Sequence, residues 1–217
     1  MSPRPRTVSD ERILIAAAGA ISRLGPERLT LGDVAREVGL SPATLLQRFG
    51  SKRGLLLALA EMGAGSVEGC FEAVRGTHAS PLEALLAAAT GITRHMKSPE
   101  ALSNGLAFLQ MDVSDPDFRR LALAQSRGTL AGYRALLDEA VAAGELMPCD
   151  TDSLARAIGA LSGGSLIAWA IHRHGTAEKW VRHDLDTLIA PHRHGERRTP
   201  AKPRGRRKRG LPSSLKG

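Results

Sequence analysis

Between Thr30 and Gly50 the chain carries start and stop signals for two helices of eight residues each, with a three-residue joint between them. Leu31, Val34, Ala35 and Val38 share one face of the first helix. Thr30 stands where an N-cap belongs, and Asp33, three residues on, completes a partial capping box. Gly39 ends that helix because it accepts positive φ at no steric cost. Ser41 and Pro42 restart the chain, the serine as N-cap and the proline at the first helical position. The second helix runs from Pro42 to Phe49 and Gly50 ends it. Ser51 caps a longer helix that begins Lys52-Arg53 and runs towards Val74. Ahead of the pair, Ile13, Ala17, Ala20, Ile21 and Leu24 form one apolar stripe on a helix from Asp10 to Leu24, stopped by Gly25-Pro26.

The same periodicity continues over about 81–97, 100–112, 116–143 and 151–173, and a last helix spans Thr176 to Ala190. Each is bounded by Pro, Gly or Asp. Aromatic residues make up 3% of the 217-residue chain, and no run of alternating β-branched residues occurs. The expected fold is therefore all-α: an N-terminal three-helix, helix-turn-helix domain over residues 1–55, a helical body over 56–191 and a tail over 192–217. The two cysteines, Cys70 and Cys149, make neither a disulfide framework nor a zinc site. Purely apolar runs such as Leu55 to Ala60 stop at six residues, and the N-terminus lacks the apolar region of a signal peptide. These features predict a cytoplasmic protein with no membrane partner.

The net charge of +8 is unevenly placed. Residues 192–217 hold ten Lys/Arg and one Glu, a net of +9, and residues 1–55 hold nine Lys/Arg and five Asp/Glu, a net of +4. The body between them is acidic. Basic ends on an acidic body suit an anionic polymer bound at the ends, although a solvated tail gives the same pattern. Within the tail, Pro203-Arg204-Gly205-Arg206 resembles an AT-hook, an arm that lays Arg side chains in the minor groove. The Pro- and Arg-rich composition of the tail is that of a disordered segment.

On a helical wheel Leu45 and Phe49 fall together, toward Val34, Val38 and the first helix. Ala43, Thr44, Gln47 and Arg48 fall on the opposite side, which is small, polar and basic. Small residues permit close approach to base edges, while hydroxyl, amide and guanidinium groups supply hydrogen bonds to bases or phosphates. Lys52 and Arg53 lie in the first turn of the next helix, where charge and helix dipole favour a phosphate.

Residues 12–59 closely resemble the DNA-binding domain of the tetracycline-repressor (TetR) family. The resemblance rests on Arg12-Ile13-Leu14, Ala17-Ala18, Gly25, Leu29-Thr30, Asp33-Val34-Ala35, Val38-Gly39-Leu40-Ser41, Ala43-Thr44-Leu45, Phe49, Ser51-Lys52 and Leu55-Leu56. It implies a DNA-binding head, a ligand-sensing body, a homodimer and a repressor released from its operator by an unidentified small molecule. The helix at 42–49 would enter the major groove. Two copies about 34 Å apart would match one turn of a palindromic operator. The implied DNA contacts fall on Thr30, Ala43, Thr44, Gln47, Arg48 and Lys52, and Ser41 and Arg53 complete the expected interface. Leu46 is a departure, because the family usually carries an aromatic residue there that helps hold a phosphate. Phosphate grip is then expected to shift to Arg48, Lys52 and Arg53.

In the body, Leu154, Ile158, Leu161, Ser165 and Trp169 form a stripe with the small neighbours Gly159, Ala160, Gly163 and Gly164. Paired with its own copy, with Trp180, Val181, Leu185 and Leu188 as partners, this stripe is the expected two-fold interface; ordinary core packing is the alternative. His95, Met96, Phe108, Met111, Tyr133 and Trp169 are candidate effector-pocket residues. No catalytic arrangement, phosphate loop or metal-ligand spacing is evident. His172 and His174 are two apart and do not share a helix face, so no catalytic residue, metal or cofactor is expected. A non-specific DNA-binding protein driven by the basic tail is the alternative to a sequence-specific regulator.

Overall fold

In the computed structural model, which describes residues 8–194 apart from the side chain of His95, capping chemistry sets most helix starts. Ser9, Thr30, Ser41, Ser51, Ser80, Ser98, Asp115, Asp150 and Thr176 each sit in extended backbone. Each accepts a hydrogen bond from a backbone N–H two or three residues on. The helices are α1 Asp10–Arg28, α2 Leu31–Val38, α3 Pro42–Phe49, α4 Lys52–Gly65, α5 Val67–Thr77, α6 Pro81–Thr90, α7 Pro99–Ser114, α8 Pro116–Ala142, α9 Thr151–His172 and α10 Ala177–Ile189. The fold is all-α. Among the described residues the one β contact is an isolated bridge between Leu146 and Arg193.

Three helix boundaries differ from expectation. Gly25 does break α1, with φ of 78°, but Pro26 to Arg28 add one further turn before Leu29 returns its N–H to the Gly25 carbonyl. The helix expected from Lys52 to Val74 divides at Ser66 into α4 and α5, which meet at 41°. Gly63, Gly65 and Ser66 are weak helix formers, and the Ser66 hydroxyl donates to the Gly63 carbonyl, turning the backbone there. The helix expected to reach residue 97 stops at Thr90 and continues as a 3-10 turn, Gly91–His95, tightened by Thr93 donating to the Thr90 carbonyl.

Two cores form. The head core gathers Ile13, Ala17 and Ala20 of α1, Val34 of α2, Leu45 of α3, Leu55 and Leu56 of α4, and Phe118 of α8. Phe118 is wholly buried, so the body contributes a central side chain to the head. The boundary expected at 55/56 falls inside α4. Gly54 lets α3 and α4 meet closely: a Cβ there would lie 2.0 Å from the Phe49 carbonyl oxygen. The body core packs α5, α6, α8, α9 and α10 around Leu85, Leu136, Ile158, Val181 and Leu185.

This second core takes up most of the stripe expected at the two-fold interface. Leu154, Ile158, Ser165, Val181 and Leu185 are buried within the protomer, and Leu161, Trp180 and Leu188 pack against the same cluster. Ser165 donates 2.6 Å to Asp184 of α10. The stripe serves the chain's own core because α10 folds back on α9 and covers it. The opposite face of α9 stays open, with Ile167 at 44% and Ile171 at 74% exposure beside exposed Ala160 and Gly164. By length and composition alone α9 would also suit a membrane, and one of its apolar faces packs on α8 and α10. The tail beyond residue 194, with its AT-hook-like segment, lies outside the described residues.

Truncating a wholly buried aromatic costs about 3–5 kcal/mol. Phe118→Ala is therefore expected to lower stability by about that much and to unfold the head first. Denaturant titration followed by circular dichroism checks this, and an unchanged midpoint would show that the head does not need the residue.

Candidate nucleic-acid interface and effector cavity

The helix-turn-helix is built by reciprocal caps. Thr30 accepts from the Asp33 N–H, and the Asp33 carboxylate accepts from the Thr30 N–H (3.0 Å) and hydroxyl (2.6 Å). The Thr30 hydroxyl holds the Asp33 carboxyl below its ordinary range. Gly39 takes φ of 70°, and Leu40 donates 2.9 Å to the Ala35 carbonyl, closing the turn. Ser41 accepts from the Thr44 N–H, and the two hydroxyls lie 2.9 Å apart.

The face expected to meet DNA is outward. Thr30, Ser41, Ala43 and Gln47 are exposed, Thr44 is half-buried at the edge, and Leu45 alone of this helix is fully buried. Leu46, the departure from the family pattern, is 52% exposed.

The basic residues are placed differently from expectation. Arg48 donates 2.6 Å to the Val8 carbonyl and 3.1 Å to the Asp10 carboxylate, so it ties the start of α1 to α3. Lys52 donates 2.6 Å to the Glu27 carbonyl, bracing the last turn of α1. Arg53 turns away from that face. Its guanidinium reaches both oxygens of Asp115 (3.0 and 2.9 Å) and Asp117 (2.8 Å), and lies 5.7 Å from the Phe118 ring centroid. This pairing holds the Asp115 carboxyl below its usual range. Arg53 is thus a clamp between head and body rather than a free phosphate ligand.

The six candidate pocket residues do not converge. Trp169 and Met96 line a cavity of about 500 Å³ with Thr90, Arg94 and Thr176. Tyr133 lines another, of about 1000 Å³, between α7, α8 and α9. Phe108 and Met111 pack on the head core instead, Phe108 edge-to-face with Phe118 at 5.8 Å. The side chain of His95 lies outside the described residues. His172 stacks on Trp180 at 5.2 Å, with His174 on the same indole at 5.0 Å.

The larger cavity brings in two charges that sequence reasoning passed over, Asp112 and Arg156. Burial pushes the Asp112 carboxyl up to about 6. Burial also raises the Tyr133 hydroxyl to about 12, so it stays protonated. The signal for Asp112 was a lone carboxylate in the mostly apolar stretch Leu106 to Val113, whose other polar residue is Gln110.

Two family signatures match the chain: "Bacterial regulatory proteins, tetR family" over residues 13–59 and "BetI-type transcriptional repressor, C-terminal" over residues 81–190, half of the chain. The chain belongs to the TetR family. TetR-family proteins are regulators of transcription, not enzymes. The HTH-type transcriptional regulator BetI of Rhizobium meliloti (strain 1021) is 29% identical over 134 residues. That alignment takes in 59% of this chain and 66% of BetI, just under two thirds of its length. Among the solved structures that share the fold are two with bound ligands. One is a transcriptional regulator from Saccharomonospora viridis in complex with choline, with TM-score 0.66 and 24% identity over 83% of this chain and 95% of that one. The other is FadR from Bacillus subtilis in complex with stearoyl-CoA, with TM-score 0.60 and 18% identity over 84% of this chain and 98% of that one.

The raised Asp112 value has a sign that can be checked. The folded chain holds that proton more tightly than the unfolded chain, whose value is near 3.8, so the charged carboxyl opposes folding as pH climbs through about 6. Asp112→Asn should therefore match the parent near pH 4 and become the more stable of the two by about pH 7. Melting temperatures across that range decide it; parallel curves would mean that the carboxyl is fully hydrated.

Proposed function

We propose that the protein is a dimeric repressor that reads a palindromic operator with α3 and leaves it when a small molecule enters the body. The observation that carries this is the free outer face of α3, on which Ala43 and Gln47 stand clear of the interior with Thr44 half-buried at their edge, while Leu45 anchors the helix from behind. Ala43 admits close approach to a base, and Gln47 suits bidentate bonding to adenine. Thr30 and Ser41, at the N-termini of α2 and α3, suit phosphate oxygens. Arg48 and Lys52 serve first to hold α1 against α3, and reach phosphates only from the flank of that surface. The head comprises residues 1–55 with the start of α4, the body 56–191, and the action is cytoplasmic.

The second copy docks on the open face of α9. Gly164, Ile167 and Ile171, on the C-terminal half of α9 beyond the cavity that Arg156 and Ala160 line, follow one another at helical spacing, exposed, and Gly164 admits a close neighbour. The effector enters the cavity between α7, α8 and α9. The choline held by the Saccharomonospora viridis protein makes that compound the first to try.

Selection of bound duplexes from a random pool should return an inverted repeat, and unrelated duplex should compete poorly for it. Gln47→Ala is expected to reduce discrimination between that operator and random DNA by about 1–3 kcal/mol. Equal loss on both DNAs would reduce Gln47 to a backbone contact, and failure to select any repeat would sink the reading. Ile171→Lys should yield a monomer by light scattering with the helical content intact; a persistent dimer would place the interface elsewhere.

A further inference from the structure

We infer that the cavity between α7, α8 and α9 takes a small molecule of both charges, its cationic group on Asp112 and its anionic group on Arg156. This rests on the effector reading of that cavity and adds the chemical class of the effector.

Asp112 and Arg156 line one cavity, yet neither has a hydrogen-bond or ion-pair partner among the described residues. Nor do they neutralise each other, since burial alone acts on the Asp112 carboxyl. Arg75 pairs with Glu139, Arg182 with Glu83 and Asp186, and Arg134 with Asp138 and Asp152. Among the described residues Arg94, Arg119, Arg120 and Arg127 are unpaired like Arg156, which differs from Arg119, Arg120 and Arg127 in lining this cavity together with an unpaired carboxylate. The pairing of Arg134 matters most. Asp152 stands four residues before Arg156 on α9, the favourable position for a helical ion pair. Its carboxylate is instead 3.1 Å from Arg134 of α8. Arg156 is thereby left free beside the cavity.

The surroundings suit a ligand larger than an ion. Ile92, Leu109 and Leu130 give apolar wall, while Gln125 and Ser126 give amide and hydroxyl groups. The cavity is an open groove, since Ile92, Leu109, Gln125, Ser126 and Arg156 are exposed, and at about 1000 Å³ it has room for an organic molecule. A cation alone would leave Arg156 unanswered, and an anion alone would leave Asp112 charged and half-buried. A molecule with an amine or ammonium at one end and a carboxylate at the other answers both with charge-assisted hydrogen bonds.

The test is calorimetric titration of the full chain with ω-amino acids of four to eight carbons, against hexylamine, hexanoate and choline. The best amino acid should bind about tenfold or more tightly than any singly charged compound. Asp112→Asn should remove its advantage over hexanoate, and Arg156→Gln its advantage over hexylamine. Asp112→Lys should reverse the preference, favouring hexanoate over hexylamine. Circular dichroism confirms that each variant is folded. If choline or hexylamine matches the amino acids and Arg156→Gln changes nothing, the two-charge ligand is wrong. Absence of binding by every compound at about 10 mM overturns it as well. Operator binding by the ligand-free protein is measured in parallel, so failure of the DNA reading shows up separately from failure of the ligand class.

Discussion

The burial of Phe118 in the head ties the molecule together. This side chain begins the longest helix of the body, yet it lies at zero exposure among Ile13, Leu45, Leu55 and the other apolar residues of the head. Arg53 closes over it and grips Asp115 and Asp117 on either side of Pro116. An ion pair at the surface is worth little by itself. Here it sits on a buried ring and fixes the direction from which the ring enters. At this corner the head is held by an apolar plug and a charged collar, and α7 packs along α1 beside them.

The helix before the plug, α7, faces two ways. Leu109 and Asp112 line the large cavity, while Phe108 and Met111, one residue away from each, pack on the head core. Asn104 of the same helix donates 2.9 Å to the Ser22 carbonyl of α1. On the proposed reading, a ligand held at Asp112 would act on a helix whose other side is set in the head. Because cores are close-packed, even a small displacement of α7 must move or loosen α1. The distance between cavity and recognition helix is spanned by one rigid element, α7, packed against α1.

What was legible in the sequence was what is decided locally. The bounds of α2 and α3, and the caps at Thr30, Ser41 and Ser51, follow from residues within three positions of one another. The outward face of α3 followed from periodicity for the same reason. The roles of the cations were not legible. Arg48 is claimed by Val8 and Asp10, Arg53 by Asp115 and Asp117, and Arg134 takes the aspartate that Arg156 would have held. Those partners lie far away in sequence or on another helix. The stripe on α9 was visible as apolar, but periodicity does not say whether the covering helix belongs to the same chain. α10 does cover it, and the open stripe of Gly164, Ile167 and Ile171 runs along the other side of the helix.

The shared plug bears on how such proteins can be recombined. A chimaera that exchanged only residues up to the end of α4 for a foreign head would bring a pocket shaped for a different guest, and would leave the Asp115 and Asp117 carboxylates facing whatever replaced Arg53. The transferable module is discontinuous: the first four helices together with α7 and the corner from Asp115 to Phe118. Grafting these pieces as a set preserves the joint, because Phe108, Met111 and Phe118 travel with the apolar residues they pack against.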